Sequence, residues 1–171
     1  MQISTLVDPA STTNPVSEIL SKIVGNNFTV ASTGIDTITK SAFEISSKVA
    51  FLSIKFNDKE DHYKGSVTPE ITIVEFSDYD CLFCTRFHLT MVDVATQYGD
   101  KIAWVYRQFP LAQLHPNAPR ISEAALCVGD IGGNDAFWTF TDKVFDSRDI
   151  TEPTNVTKLL QYAQDAGIQN E

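Results

Sequence analysis

Two cysteines, Cys81 and Cys84, have the Cys-x-x-Cys spacing at which one thiol can attack a disulfide and the other can resolve it. A run rich in β-branched and aromatic residues, 71–76, precedes them and predicts a buried strand. Apolar residues then recur at spacings of three and four, which predicts an amphipathic helix that ends at Gly99. Its apolar positions are Phe83, Phe87, Met91, Val94, Ala95 and Tyr98. The cysteines are therefore expected between the end of a strand and the start of a helix.

The start of a helix favours a thiolate. Its unpaired N–H groups and the helix dipole place about half a positive charge there. We therefore expect the pKa of Cys81 to lie below the free-thiol value of about 8.5, which makes Cys81 the attacking group. Cys84 follows one helical turn later and is predicted to be the resolving thiol.

A carboxylate, Glu75, lies within the apolar strand before the cysteines. If this side chain is buried, loss of solvation raises its pKa and lets it exchange protons with Cys84. The alternative is an edge-strand carboxylate that faces water. The predicted catalytic residues are thus Cys81, Cys84 and Glu75.

Two other interpretations of the cysteine pair remain open. Cys-x-x-Cys is also half of a zinc site, but only Cys127 and three histidines are present to complete one. The pair could also be two structural core thiols. The context of strand, Cys-x-x-Cys and helix favours redox chemistry, so neither a metal site nor a cofactor is predicted.

Composition excludes some classes of partner. The chain has 171 residues, enough for one domain with a core, and a net charge of −9, which disfavours nucleic acid and an anionic membrane surface. Residues 1–14 lack the basic and apolar parts of a signal peptide. No run of apolar residues is long enough for a membrane span.

The remaining pattern gives an order of elements. Residues 1–14 are polar and expected to be loose, residues 15–24 fit a short helix, and apolar spacing from Ile35 to Leu52 predicts an amphipathic helix. Residues 101–107 form a second strong strand, parallel to the first. Three helices follow, at 120–128, from a capping Asn134, and at 155–166.

Several motifs in sequence order resemble the DsbA-like branch of the thioredoxin superfamily, from Asp61 to the end of the chain. These motifs are Val74-Glu75-Phe76-Ser77-Asp78-Tyr79-Asp80-Cys81-Leu82-Phe83-Cys84, Arg86-Phe87-His88, Trp104-Val105-Tyr106-Arg107-Gln108-Phe109-Pro110-Leu111, Leu114-His115-Pro116-Asn117-Ala118 and Gly132-Gly133-Asn134-Asp135-Ala136-Phe137-Trp138. The resemblance implies a thiol-disulfide oxidoreductase with an α/β fold. That fold is a thioredoxin-like strand–helix–strand core, residues 71–110, with a helical insertion, residues 117–171. Residues 1–56 would be an N-terminal extension and residues 57–171 a partial DsbA-like domain.

The resemblance also implies what this sequence lacks. A thioredoxin fold continues into a hairpin, entered through a cis proline that faces the cysteines, and a closing helix. Beyond Pro119 this sequence has only Pro153, which precedes a predicted helix, so no candidate for the cis proline is found and the sequence is expected to stop inside the helical insertion. The expected result is a sheet with an open edge, prone to homo-oligomerisation. A non-catalytic binding or scaffold fragment is therefore the alternative function.

Family members carry an acid at the position of Glu75. Their partners are protein thiols and disulfides and a redox partner protein, and they work outside the cytoplasm, in the periplasm or cell envelope. Leu82 departs from the proline common at its position. Because no histidine lies between the two cysteines, we expect a less oxidising couple than in the most oxidising members of the family. We further expect His88 to be partly exposed, His115 to be structural, and Cys127 to be a buried free thiol.

Overall fold

The computed structural model describes residues 2–7, 56–149 and 152–169. These residues contain eight helices, strands and turns. They are β1 (Gln2–Val7), β2 (His62–Gly65), β3 (Ile71–Ser77), α1 (Leu82–Tyr98), β4 (Ile102–Gln108), α2 (Ala118–Asp146), a 3-10 turn (Val156–Lys158) and α3 (Leu159–Asp165).

The centre of the fold is the predicted strand–helix–strand unit, β3–α1–β4. The two strands are parallel, in a register that runs from Ile71 opposite Ile102 to Ser77 opposite Gln108. Both strands are buried along most of their length, as expected for parallel strands that are covered on both faces. The predicted α/β class and core are confirmed.

The sheet is wider than the sequence predicts. Its strand order is β1-β3-β4-β2, and β1 and β2 are antiparallel to the central pair. The expectation that residues 1–14 are loose is wrong for Gln2–Val7, which pairs with β3 from Phe76 to Ile71. This segment contains alternating β-branched residues, and the unpaired backbone of β3 is the kind of edge that recruits such a strand. One edge of the central strand pair is therefore covered by β1.

Helix α1 has the predicted length but a shifted apolar face. The buried residues of the helix include Cys84, Phe87, His88, Met91, Val94 and Tyr98. Phe83 is 67% exposed, so its expected place in the core is wrong. His88 is buried, against the expectation of partial exposure. Phe87, Met91, Val94 and Tyr98 are buried as predicted, so the differences are confined to the first two turns of the helix.

Helix α2 contains the two helices that the sequence predicts between residues 118 and 146. They meet at Gly133, whose φ of 78° and ψ of −171° break the helical backbone and favour glycine. The Asn134 side chain, predicted as a cap, bonds both the N–H and the C=O of Tyr63, at 2.9 and 2.8 Å. This long-range pair fixes the start of the second half against β2. Cys127 is exposed on the first half, so its predicted burial is wrong.

The last helix follows a capped turn. Asn155 Oδ1 accepts a bond from the Thr157 N–H at 3.0 Å, and a 3-10 turn leads into α3. Tyr162 on α3 donates to Ser147 Oγ at 2.6 Å, which joins α3 to the end of α2. The predicted helix over 155–166 is thus confirmed, with a 3-10 first turn.

The predicted helices at 15–24 and 35–52 lie outside the described residues. The division into residues 1–56 and 57–171 stays a prediction. Within the described parts of the chain, no helix is both long and apolar enough to span a membrane.

Candidate active site

The two cysteines occupy the junction of β3 and α1. Cys81 is the N-cap residue of α1, with an extended backbone (φ −85°, ψ 121°), and its side chain is partly exposed. Cys84 lies in the first turn and is only 3% exposed. Both thiols are unpaired. The accessible thiol of Cys81 therefore precedes the buried thiol of Cys84, and both lie at the N-terminus of α1.

A buried carboxylate, Asp78, shapes the loop that presents Cys81. Its Oδ1 accepts a bond from the Asp80 N–H, and its Oδ2 accepts one from the Leu111 N–H, each at 2.7 Å. His115 Nδ1 lies 3.0 Å from the same Oδ2, and the Cys81 N–H donates to the Asp78 carbonyl at 3.1 Å. Asp78 thereby holds the β3–α1 loop against the loop after β4. The expected structural role of His115 agrees with this contact.

A second group of contacts reaches the same loop from the end of α2. The carboxylate of Asp80 accepts a bond from the Thr154 N–H at 2.7 Å. Arg148 donates one guanidinium N–H to the Asp80 carbonyl and another to Thr85 Oγ1, the latter at 3.0 Å. Thr85 Oγ1 in turn lies 3.2 Å from the carbonyl oxygen of Cys81, to which it donates. The backbone on either side of Cys81 is thus held by side chains distant in sequence.

Glu75 is fully buried in β3, in agreement with the burial that the sequence predicts. Trp104 Nε1 donates to its Oε2 at 2.8 Å, and its Oε1 has no hydrogen-bond partner among the described residues. Burial raises the pKa of Glu75 from 4.5 to about 7, and the side chains of Ser77 and Trp104 oppose part of that rise. Near neutral pH this carboxyl group can therefore both take up and release a proton.

Cys84 carries a thiol that must lose its proton before it can react. Burial raises the pKa of its thiol to about 11, although hydrogen bonding to the Asp78 backbone opposes the rise. At neutral pH this thiol is protonated. It therefore needs a base in order to act as a nucleophile.

Tyr106 is a buried residue of β4, only 3% exposed. It is the register partner of Glu75 on the neighbouring strand. Burial raises the pKa of its hydroxyl well above 10, and the charges of Tyr79, Glu75 and, to a smaller extent, Cys84 raise it further. Tyr106 and Cys84 belong to the same buried core, and Glu75 is buried on the neighbouring strand.

A separate polar cluster lies beneath α1. His88 Nε2 is 2.9 Å from Asp142 Oδ1, and Lys64 Nζ is 2.6 Å from Asp142 Oδ2. Burial alone would raise the pKa of Asp142, but the bonds from His88 and Lys64 hold it below its ordinary value. The His88 ring packs on Phe145, 4.5 Å between centroids. This cluster ties β2 and α1 to α2.

Exposed apolar side chains surround the Cys81 end of the sheet. Phe83 is 67% exposed, Phe109 53% and Leu114 72%. The Phe109 N–H donates to the Ser77 carbonyl at 2.8 Å, which places this loop directly beside the cysteine loop. An apolar surface of this kind suits contact with a peptide chain.

Sequence reasoning found the two cysteines and the buried acid but missed Asp78, Asp80, Arg148 and Thr154. For Asp78 a signal was present, because an acid just after a buried strand commonly closes an Asx turn. Arg148 and Thr154 lie 63 to 74 residues from the groups they bond, and spacing does not reveal such contacts. In residues 56–149 and 152–169, no group of three His, Cys, Asp or Glu side chains is arranged to hold a metal.

The family profile described as "Thioredoxin" matches residues 57–171. The chain belongs to the thioredoxin family. Its fold is DsbA-like: the thiol-disulfide exchange protein α-DsbA2 from Wolbachia pipientis superposes with a TM-score of 0.59 at 20% identity, over 78% of this chain and 64% of that one. A periplasmic thioredoxin-like protein from Salmonella enterica serovar Typhimurium gives 0.57 at 22% identity, over 68% and 63%.

A curated relative extends beyond the thioredoxin part. The Na(+)/H(+) antiporter NhaA 1 of Mycolicibacterium gilvum is 34% identical over 116 residues, which are 66% of this chain and 17% of that protein. The chain thus spans about a sixth of this relative's length.

Proposed function

We propose that this protein is a thiol-disulfide oxidoreductase that exchanges disulfides with protein cysteines through Cys81 and Cys84. The observation that carries the proposal is the pairing of an accessible thiol at the start of α1 with a buried thiol one turn later. Membership of the thioredoxin family and a DsbA-like fold support the same reaction.

The reaction divides into two exchanges. Cys81 Sγ, as the thiolate, attacks one sulfur of a substrate disulfide; the new S–S bond forms as the old one breaks, and the released substrate sulfur takes a proton. Cys84 Sγ then gives up its proton and attacks Cys81 Sγ, which forms the Cys81–Cys84 disulfide and releases the second substrate thiol. The reverse sequence oxidises a dithiol substrate.

Glu75 acts as the proton acceptor for Cys84 in this proposal. The pKa of the Cys84 thiol, about 11, makes its spontaneous ionisation at pH 7 rare, whereas the pKa of Glu75, about 7, suits a base at that pH. Tyr106, the register partner of Glu75, belongs to the same buried core as Cys84. When a substrate disulfide is to be reduced, the ionised carboxylate takes the proton; in the reverse direction, the acid returns it.

The partners in this proposal are proteins: substrates with thiols or disulfides, and a redox partner that resets the pair. The exposed Phe83, Phe109 and Leu114 beside Cys81 support contact with polypeptide. We also propose that the protein works outside the cytoplasm. The periplasmic protein from Salmonella enterica, with a similar fold, supports that location.

The test is to trap the mixed disulfide in a Cys127→Ser background, because Cys127 is exposed and would react on its own. A Cys84→Ala variant is mixed with a peptide that contains one disulfide, and the covalent adduct is located by peptide mass mapping. We expect a stable adduct at Cys81 only. The matched Cys81→Ala variant should give none, because Cys84 is buried. Absence of adduct from Cys84→Ala would favour the non-catalytic binding alternative.

A further inference from the structure

We propose that Arg148 is a positioning residue for the thiol pair: its buried guanidinium fixes the backbone around Cys81 and stabilises the reduced form through its positive charge. This inference rests on the proposed disulfide exchange. Nothing in the sequence pattern points to Arg148, which lies just beyond the end of α2.

The contacts of Arg148 converge on one place. One guanidinium N–H is donated to the carbonyl of Asp80, the residue before Cys81, and another to Thr85 Oγ1. Thr85 belongs to the first turn of α1, and its hydroxyl donates a hydrogen bond to the Cys81 carbonyl. A planar, forked donor that bridges two points is suited to hold their spacing, which a flexible ammonium group does less well.

The charge of Arg148 is held out of water. Its side chain is 6% exposed, and the Asp80 side chain is 3% exposed, with Arg148 Nε 4.0 Å from Asp80 Oδ1. Opposite charges in such surroundings are poorly screened, so each acts strongly on neighbouring groups. Loss of the cation would leave the Asp80 carboxylate with the Thr154 N–H but with no positive partner. A buried anion of this kind beside Cys81 is unfavourable for a second negative charge there.

The sign of the redox effect follows from this arrangement. The disulfide form carries no charge on sulfur, whereas the reduced form carries negative charge on Cys81 when the thiolate forms. A nearby cation therefore stabilises the reduced form and makes the couple more oxidising. Removal of the cation should make the couple less oxidising.

The experiment measures the equilibrium constant of the Cys81–Cys84 couple against glutathione, in a Cys127→Ser background. The reaction is dithiol plus glutathione disulfide giving protein disulfide plus two glutathione, and the oxidised fraction is read by alkylation and mass. We expect Arg148→Met to raise this constant about tenfold, which corresponds to about 30 mV toward reducing potential. Addition of Asp80→Asn to Arg148→Met should recover part of the shift, because it removes the unpaired anion.

Control variants separate this effect from general damage. Lys143→Met removes a cation from the last turn of α2, five residues before Arg148. Lys143 pairs with Asp165 at 3.6 Å and is half exposed, so the constant should not change. Thr85→Val keeps the side-chain shape and removes the hydroxyl between Arg148 and the Cys81 carbonyl. It should shift the constant about threefold in the same direction as Arg148→Met.

The outcomes separate the two proposals. If the Cys127→Ser protein forms no reversible Cys81–Cys84 disulfide, the proposed function itself fails. If that couple is reversible but Arg148→Met matches Lys143→Met, the role of Arg148 is refuted. If Arg148→Met does not fold, Thr85→Val decides, and an unchanged constant in that variant overturns the inference.

Discussion

Replacement of Glu75 by glutamine tests whether the buried acid destabilises the protein at neutral pH. Its pKa is about 7 in the folded protein against an ordinary value of 4.5, a difference of about 2.5 units. Between these two pH values the folded state binds the proton and the unfolded state has lost it. The free energy of unfolding should therefore fall as pH rises from 4.5 to 7, by about 1.4 kcal/mol per unit and about 3 kcal/mol in total.

The glutamine variant removes this dependence and keeps the contact with Trp104, because its amide oxygen can still accept the indole N–H. Any cost of its unpaired amide hydrogens is the same at every pH. We therefore expect the stability difference, variant minus wild type, to be about 3 kcal/mol more favourable at pH 8 than at pH 4.5.

Urea unfolding of the reduced proteins at pH 4.5, 6 and 8 measures this difference. Glu123→Gln is the matched control, because Glu123 is exposed on α2 and the same change there should stay within about 0.5 kcal/mol at each pH. The same Glu75→Gln variant should exchange disulfides about 100-fold more slowly at pH 7, since Cys84 loses its base. An equal stability difference at pH 4.5 and pH 8 would refute the reasoning.

Two further substitutions and one deletion test other contacts of the fold. Asp142→Ala should destabilise the protein by about 1–3 kcal/mol at pH 7, because buried His88 loses its partner. The pKa of Asp142 is lowered in the folded protein, so this loss of stability should shrink as pH falls below about 4. Urea unfolding at neutral pH and at that acidic pH measures both effects. Tyr79→Phe should cost about 1–2 kcal/mol in thermal unfolding, because it leaves the buried Thr141 hydroxyl without the bond of 2.8 Å. Deletion of residues 1–7 should expose the β3 edge and produce oligomers by size-exclusion chromatography, and a deleted protein that stays monomeric would show that β1 is dispensable.

The sequence alone predicted the central unit β3–α1–β4, because the pattern that indicates each of these elements lies within the element itself. The run before the cysteines is apolar and β-branched, and the helix that follows has clear periodicity, so β3, α1 and the position of Cys81 and Cys84 follow directly. Glu75 was identifiable as a candidate because a lone acid in such a strand is unusual. Its contact with Trp104 depends on the pairing of β3 with β4.

Features that depend on distant parts of the chain were missed or misplaced. The spacing in α1 allows either Phe83 or Cys84 on the inner face, and only the docking of the helix on the sheet decides between them. The pairing of β1 with β3 joins segments about 70 residues apart. Arg148 reaches the cysteine loop only because α2 folds back over the sheet, a contact for which periodicity carries no signal.

Transfer of a disulfide to a protein substrate tests the central claim most directly. The Cys127→Ser protein, oxidised at Cys81–Cys84, is mixed in equal amounts with a reduced, unfolded protein that has two cysteines, and the intact masses of both are followed. The account predicts that the substrate loses two hydrogens as this protein gains two, and that Cys81→Ala abolishes the transfer. The contradicting result is a pair that stays oxidised while the substrate stays reduced, although glutathione disulfide oxidises the same substrate in a parallel mixture.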